Sequence, residues 1–105
     1  ALQPVLQMLG CHVTRVDRAQ AALGWLRRQT LLPDVVLTDV VMPGEMDGVG
    51  LAQTVRTRFP SVRIILMTGY AEQLEAISRQ GFEILPKPCS AEVLGAAIGR
   101  ARPSR

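Results

Sequence analysis

Apolar residues along the chain alternate between two periods. Leu2, Val5, Leu6 and Leu9 recur at helical spacing, with Pro4 tolerated in the first turn and Gly10 as the stop, so residues 1–10 read as a helix. His12 to Val16 is a short run of β-formers and predicts a strand. Ala19, Ala22, Leu23 and Leu26 then share one helical face over 19–29, with Asp17 as the predicted N-cap. Val35 to Thr38 is continuously apolar up to its threonine, the mark of a strand covered on both faces. Val49, Ala52, Val55 and Phe59 predict a helix over 48–59 that Pro60 ends. Residues 62–67 form a second buried strand. Leu74 and Ile77 mark a shorter helix over 71–80, closed by Gly81. Residues 83–85 predict a last strand. Leu94, Ala97, Ile98 and Ala101 place a helix over 91–101 behind Ser90, a good N-cap.

The predicted order is α-β-α-β-α-β-α-β-α. Strands separated by helices pair in parallel through right-handed crossovers, giving an α/β fold with a doubly wound parallel sheet in a three-layer α/β/α sandwich. The 105 residues suit one domain, read as 1–101, with a short tail at 102–105. The chain opens inside a helical stripe, which reads as a domain truncated on its N-terminal side.

Composition narrows the function classes. With 48% hydrophobic residues the chain carries an ordinary globular core, and no stretch approaches the ~20 apolar residues of a membrane span. The net charge of +3 comes from scattered Lys and Arg, and only 4% of residues are aromatic, so neither a basic stripe nor a base-stacking platform is present. No nucleic-acid or membrane contact is expected. Cys11 and Cys89 make no disulfide framework and read as free thiols of a reducing, cytoplasmic setting.

In doubly wound sheets, functional groups collect at the carboxyl ends of the strands. Here those ends carry Asp39, Thr68 and Lys87. A carboxylate can act as a nucleophile toward phosphorus and form an acyl phosphate. Lys87 would neutralise the transferring phosphoryl group and Thr68 would donate to one of its oxygens. Mg²⁺ suits such an oxygen-rich site, and the tight Met42-Pro43-Gly44 turn lets backbone carbonyls, that of Val41 among them, reach the ion. Other polar residues have structural readings: Asp47 as a turn residue before Gly48, Glu45 as exposed loop, His12 as a strand-start residue with no second ligand at metal spacing, and Cys89 as a packed thiol. Tyr70 follows Thr68-Gly69 and is placed at the edge of the site.

Asp39-Val40-Val41-Met42-Pro43, then Asp47-Gly48, then Leu66 to Ala71, then Lys87-Pro88 resemble the receiver domain of bacterial two-component response regulators. The likeness runs over nearly the whole chain. It is greatest to the C-terminal receivers of hybrid histidine kinases, whose loop after the aspartate often has the longer form seen at 43–48. Each motif alone is weak; together, in order and at strand ends, they are specific. The resemblance implies a flavodoxin-like fold and phosphorelay signal transduction by self-catalysed phosphotransfer. Asp39 is then the phosphoacceptor, taking its phosphoryl group from phosphohistidine on a histidine kinase or histidine phosphotransfer domain. Thr68 and Lys87 contact that group, Asp39 and the Val41 carbonyl hold Mg²⁺, and the Lys87-Pro88 bond is cis. Residues 71–101 become the face that changes partners on phosphorylation, which leaves room for a dimer.

The chain departs from the family in three places. The usual first strand and its metal-binding acidic pair are absent, which leaves the strands at 12–16 and 35–38 separated by a gap, paired directly, or joined by a strand from another chain. Ile84 stands where an aromatic switch residue is common, and Cys89 where a Phe often follows Lys-Pro. Two alternatives accompany the phosphoacceptor reading: a degenerate receiver serving as a phosphorylation-independent docking module, and a haloacid-dehalogenase-like phosphatase. The second normally needs an acid two residues after the nucleophile, where this chain has Val41.

Overall fold

A computed structural model describes residues 2–101; the predicted tail at 102–105 lies outside the described residues. The elements are α1 (Leu2–Met8), α2 (Ala19–Arg28), β1 (Val35–Asp39), α3 (Gly48–Arg58), β2 (Arg63–Thr68), α4 (Ala71–Arg79), β3 (Glu83–Pro86) and α5 (Ala91–Ala101). All five predicted helices form within two residues of their predicted limits. At the end of α1, Cys11 N–H bonds the Leu6 carbonyl and Gly10 N–H that of Gln7, each at 3.0 Å. This turn needs a left-handed residue, which Gly10 supplies at φ +86°.

The strands form a parallel sheet in the order β1-β2-β3. β2 is central, and its apolar run divides by the two-residue period of the pleat. Ile64 and Leu66 face a cluster with Leu23 and Leu26 of α2, Leu51 and Val55 of α3, and Ile77 of α4. Ile65 and Met67 face the opposite cluster, with Leu85, Leu94 and Ile98, against which Leu2, Val5 and Leu6 of α1 pack. Two helical layers therefore sandwich the sheet, α2, α3 and α4 on one side and α1 and α5 on the other.

Three expectations are corrected. His12 to Val16 is not a strand: the segment runs without regular structure and its backbone joins no ladder. Propensity alone cannot make a strand, because each of its amides needs a partner chain, and among the described residues β1 pairs only with β2. The segment and β1 therefore do not pair directly. The N-cap of α2 is Arg18, with no side-chain cap bond, in place of Asp17. In α3 the buried face is centred on Leu51, 1% exposed, with Ala52 and Val55, while Val49 and Phe59 lie at its margin.

Candidate functional site

The parallel register brings the three sequence-predicted residues to one edge of the sheet. Asp39 is the last residue of β1 and aligns with Met67, one position before the end of β2. Thr68 ends β2 and aligns with Pro86, so Lys87 follows directly beyond that pair. Two backbone bonds extend the ladder past the strand ends and fix this arrangement: Val40 N–H to the Met67 carbonyl at 2.9 Å, and Lys87 N–H to the Thr68 carbonyl at 2.8 Å. The Lys87-Pro88 peptide is cis.

The loop after Asp39 is anchored at both ends. At its start the Thr38 hydroxyl, on a buried side chain, lies 3.0 Å from both the Asp39 carbonyl, to which it donates, and Met42 Sδ. At its return Gly48 N–H bonds the Val40 carbonyl at 2.8 Å. A Cβ at Gly48 would lie 1.9 Å from the Asp39 carbonyl oxygen, so only glycine permits this approach. Asp47 is the N-cap of α3, its Oδ1 accepting from Gly50 N–H at 2.8 Å, which fits its reading as a structural residue.

Lys87 Nζ and Asp39 Oδ1 are 2.7 Å apart, with both side chains a little under half exposed. An open cleft of about 100 Å³ is lined by Asp39, Val41, Met67, Thr68, Gly69, Tyr70 and Lys87. That is well below the ~300–1,000 Å³ of sites that enclose a drug-sized ligand, and matches a small charged group instead. Tyr70 stands at its edge, 61% exposed. The adjoining hollow, lined by Leu2, Met67, Lys87, Pro88 and Cys89, adds no carboxylate.

Thr68 is 3% exposed, and its hydroxyl is turned to the start of α4. Oγ1 donates to Gln73 Oε1 and accepts from Tyr70 N–H at 3.1 Å. Gln73 escapes a reading of the sequence, because a polar residue in the first turn of a helix is ordinary and its contact depends on the rotamers of two side chains. Elsewhere the charged groups pair away from the cleft: Glu83, at the amino end of β3, lies 2.9 Å from Arg100 and 3.7 Å from Arg63.

The Asp39 carboxylate is a hard oxygen donor at this cleft, which Val41 also lines. Among the described residues no group of three or more His, Cys, Asp or Glu is placed to hold a metal. So small a set of protein oxygens suits Mg²⁺ held mainly through water and a phosphoryl group, and not a closed all-protein cage.

The chain matches the family described as "Response regulator receiver domain" over residues 1–99. It is 37% identical over 103 residues to the response regulator protein FleR of Pseudomonas aeruginosa, spanning 95% of this chain and 21% of FleR. It is 41% identical over 70 residues to the sensor kinase CckA of Brucella abortus, covering 62% of this chain and 7% of the kinase. The chain therefore spans only a small part of these curated relatives. A receiver domain protein from Clostridium thermocellum superimposes with a TM-score of 0.83 at 27% identity, covering 95% of this chain and 81% of that one. Neither the phosphatase nor the docking alternative gains support from these likenesses. The fold, the strand-end groups and the relatives agree: this chain belongs to the response regulator receiver domain family and works in phosphorelay signal transduction.

Proposed function

We propose that Asp39 is the phosphoacceptor of this domain. The observation that carries the reading is the Asp39–Lys87 pair, 2.7 Å apart at the carboxyl ends of parallel strands with Thr68 between them in the sheet order. A carboxylate oxygen of Asp39 attacks the phosphorus of a phosphohistidine. The P–N bond breaks, the electron pair returns to the imidazole, and an acyl phosphate forms on Asp39. Lys87 then neutralises oxygens of the phosphoryl group in place of the carboxylate, and Thr68 supplies a hydroxyl donor. Mg²⁺, when bound through the Asp39 carboxylate and the Val41 carbonyl, supplies further neutralisation of phosphoryl charge.

The phosphodonor is a histidine kinase or a histidine phosphotransfer domain. A sensor kinase among the relatives fits a receiver carried by, or serving, such a kinase. We place the domain in the cytoplasm, where the free thiols Cys11 and Cys89 stay reduced. Among the described residues no helix is long and apolar enough to cross a membrane.

Incubating the protein with acetyl phosphate and Mg²⁺ and measuring intact mass tests this reading. The wild type is expected to gain one phosphoryl group and Asp39→Asn none. Equal uptake by the variant would refute it.

A further inference from the structure

The arginines are scattered along the sequence, and the fold gathers them at one end. Helices α2, α3 and α4 each lead into the start of a strand or its turn, and α5 begins just beyond the carboxyl end of β3. All four therefore end at the amino edge of the sheet. α2 closes on Arg27 and Arg28, α3 on Arg56 and Arg58, α4 on Arg79 and α5 on Arg100. The acids at this edge do not match them. Glu83 holds Arg100 and Arg63, and Glu75 holds Arg79. Arg27, Arg28 and Arg58 are exposed and form no ion pair among the described residues, where Asp34 is the one acid left at this edge. A cation in the last turn of a helix favours its dipole, which accounts for each arginine singly. It does not account for Leu31. That side chain is 85% exposed in the turn between α2 and β1, among the same arginines, with Leu32 beside it at 37%.

The opposite edge has the other sign. Asp39, Glu45, Asp47, Glu72 and Glu92 there outnumber Arg18 and Lys87. The smallest extent of the molecule is 25 Å. That is about three Debye lengths at physiological salt, so the acidic edge does not cancel the basic one for a surface approaching it.

We propose that the amino edge of the sheet lies on an anionic lipid surface. Arginines spread over the ends of four helices make a broad cationic face, which matches a broad anionic plane. Leu31, projecting among them, enters the boundary between headgroups and acyl chains while the arginines meet lipid phosphates and carboxylates. A nucleic acid fits less well, because Phe82 is buried and Trp25 and Phe59 are half-buried, which leaves no exposed ring at this edge for a base to stack on. The expectation of no membrane contact rested on the scatter of basic residues along the chain, and the folded charge pattern revises it. In this orientation the Asp39 cleft faces away from the lipid, open to a phosphodonor.

Cosedimentation of the protein with lipid vesicles tests the proposal. Vesicles of phosphatidylcholine alone are compared with equal parts phosphatidylcholine and phosphatidylserine, at low salt and at about 1 M salt, where the Debye length is ~3 Å. Binding is expected to the phosphatidylserine vesicles alone, and to be lost at the higher salt. Each arginine near the surface is worth about fivefold in affinity, so Arg28→Gln with Arg58→Gln should weaken binding about twenty-five-fold. Leu31→Ser should weaken it about tenfold. Arg18→Gln removes the same charge at the opposite edge, from a residue whose side chain makes no cap bond, and should leave binding within about twofold of wild type. Should the arginine pair not fold, Arg27→Gln takes its place. No binding at low salt, equal binding to both vesicles, or equal weakening by Arg18→Gln and Arg58→Gln overturns the proposal. Binding that ignores Leu31→Ser, with equal retention on immobilised polyglutamate, also overturns it and assigns this edge to an acidic protein.

Discussion

Lys87 illustrates how one residue acquires a role from its place. As a lone lysine it is an ordinary solvated side chain, and an exposed ion pair of its kind adds little to stability. The ladder bond from its own N–H to Thr68 fixes its backbone, and the side chain meets Asp39 across the sheet edge. In the proposed reaction its contribution goes to the phosphoryl group, whose charge exceeds that of the carboxylate it replaces. Lys87→Ala is therefore expected to leave the thermal midpoint nearly unchanged while slowing phosphorylation about tenfold to a hundredfold, less than loss of a buried donor would, because the site is open to water. Equal rates for wild type and variant would remove Lys87 from the site. Asp39, Thr68 and Lys87 were legible in the sequence because each follows a β-forming run and parallel strands bring their carboxyl ends together. Gln73 was not, since nothing in its spacing distinguishes a hydroxyl's partner from a solvated amide.

At the level of elements, helix limits were legible because their signals are local. Asp47 precedes Gly48 and caps α3, Ser90 Oγ accepts from Val93 N–H at 3.1 Å at the start of α5, and Gly10 and Gly81 stand in left-handed turns after α1 and α4. The strand predicted at 12–16 failed because pairing is nonlocal: His12 to Val16 has the composition of a strand and no ladder partner. The buried face of α3 was misplaced for a related reason, since Val49 and Leu51 are both apolar and only burial in the cluster shared with α2 and β2 selects Leu51. The junction between β1 and α3 gives a sharp test. A methyl group at Gly48 would overlap the backbone just beyond the Asp39 carboxylate. Gly48→Ala is expected to cost about 3 kcal/mol, at the upper end of overpacking costs, read as a lower denaturant midpoint with an unchanged slope. A midpoint equal to wild type would show that the loop accepts the methyl without holding Asp39 in place.

Over the whole molecule, the division of labour follows the direction of the sheet. The amino end of the strands carries the Glu83 pairs with Arg63 and Arg100, and Arg56 lies over the Phe82 ring at 3.9 Å while bonding the Gln80 carbonyl at 3.1 Å. These contacts tie helices to the sheet away from the cleft. The carboxyl end carries Asp39, Thr68 and Lys87, so chemistry and scaffold occupy opposite edges. The account stands or falls on where the phosphoryl group goes. The most direct measurement is to phosphorylate the wild-type protein, reduce the acyl phosphate with borohydride, and locate the resulting homoserine by peptide mass spectrometry. The account predicts homoserine at position 39 alone. Homoserine at Asp34 or Asp47, or an adduct that resists borohydride, would contradict it.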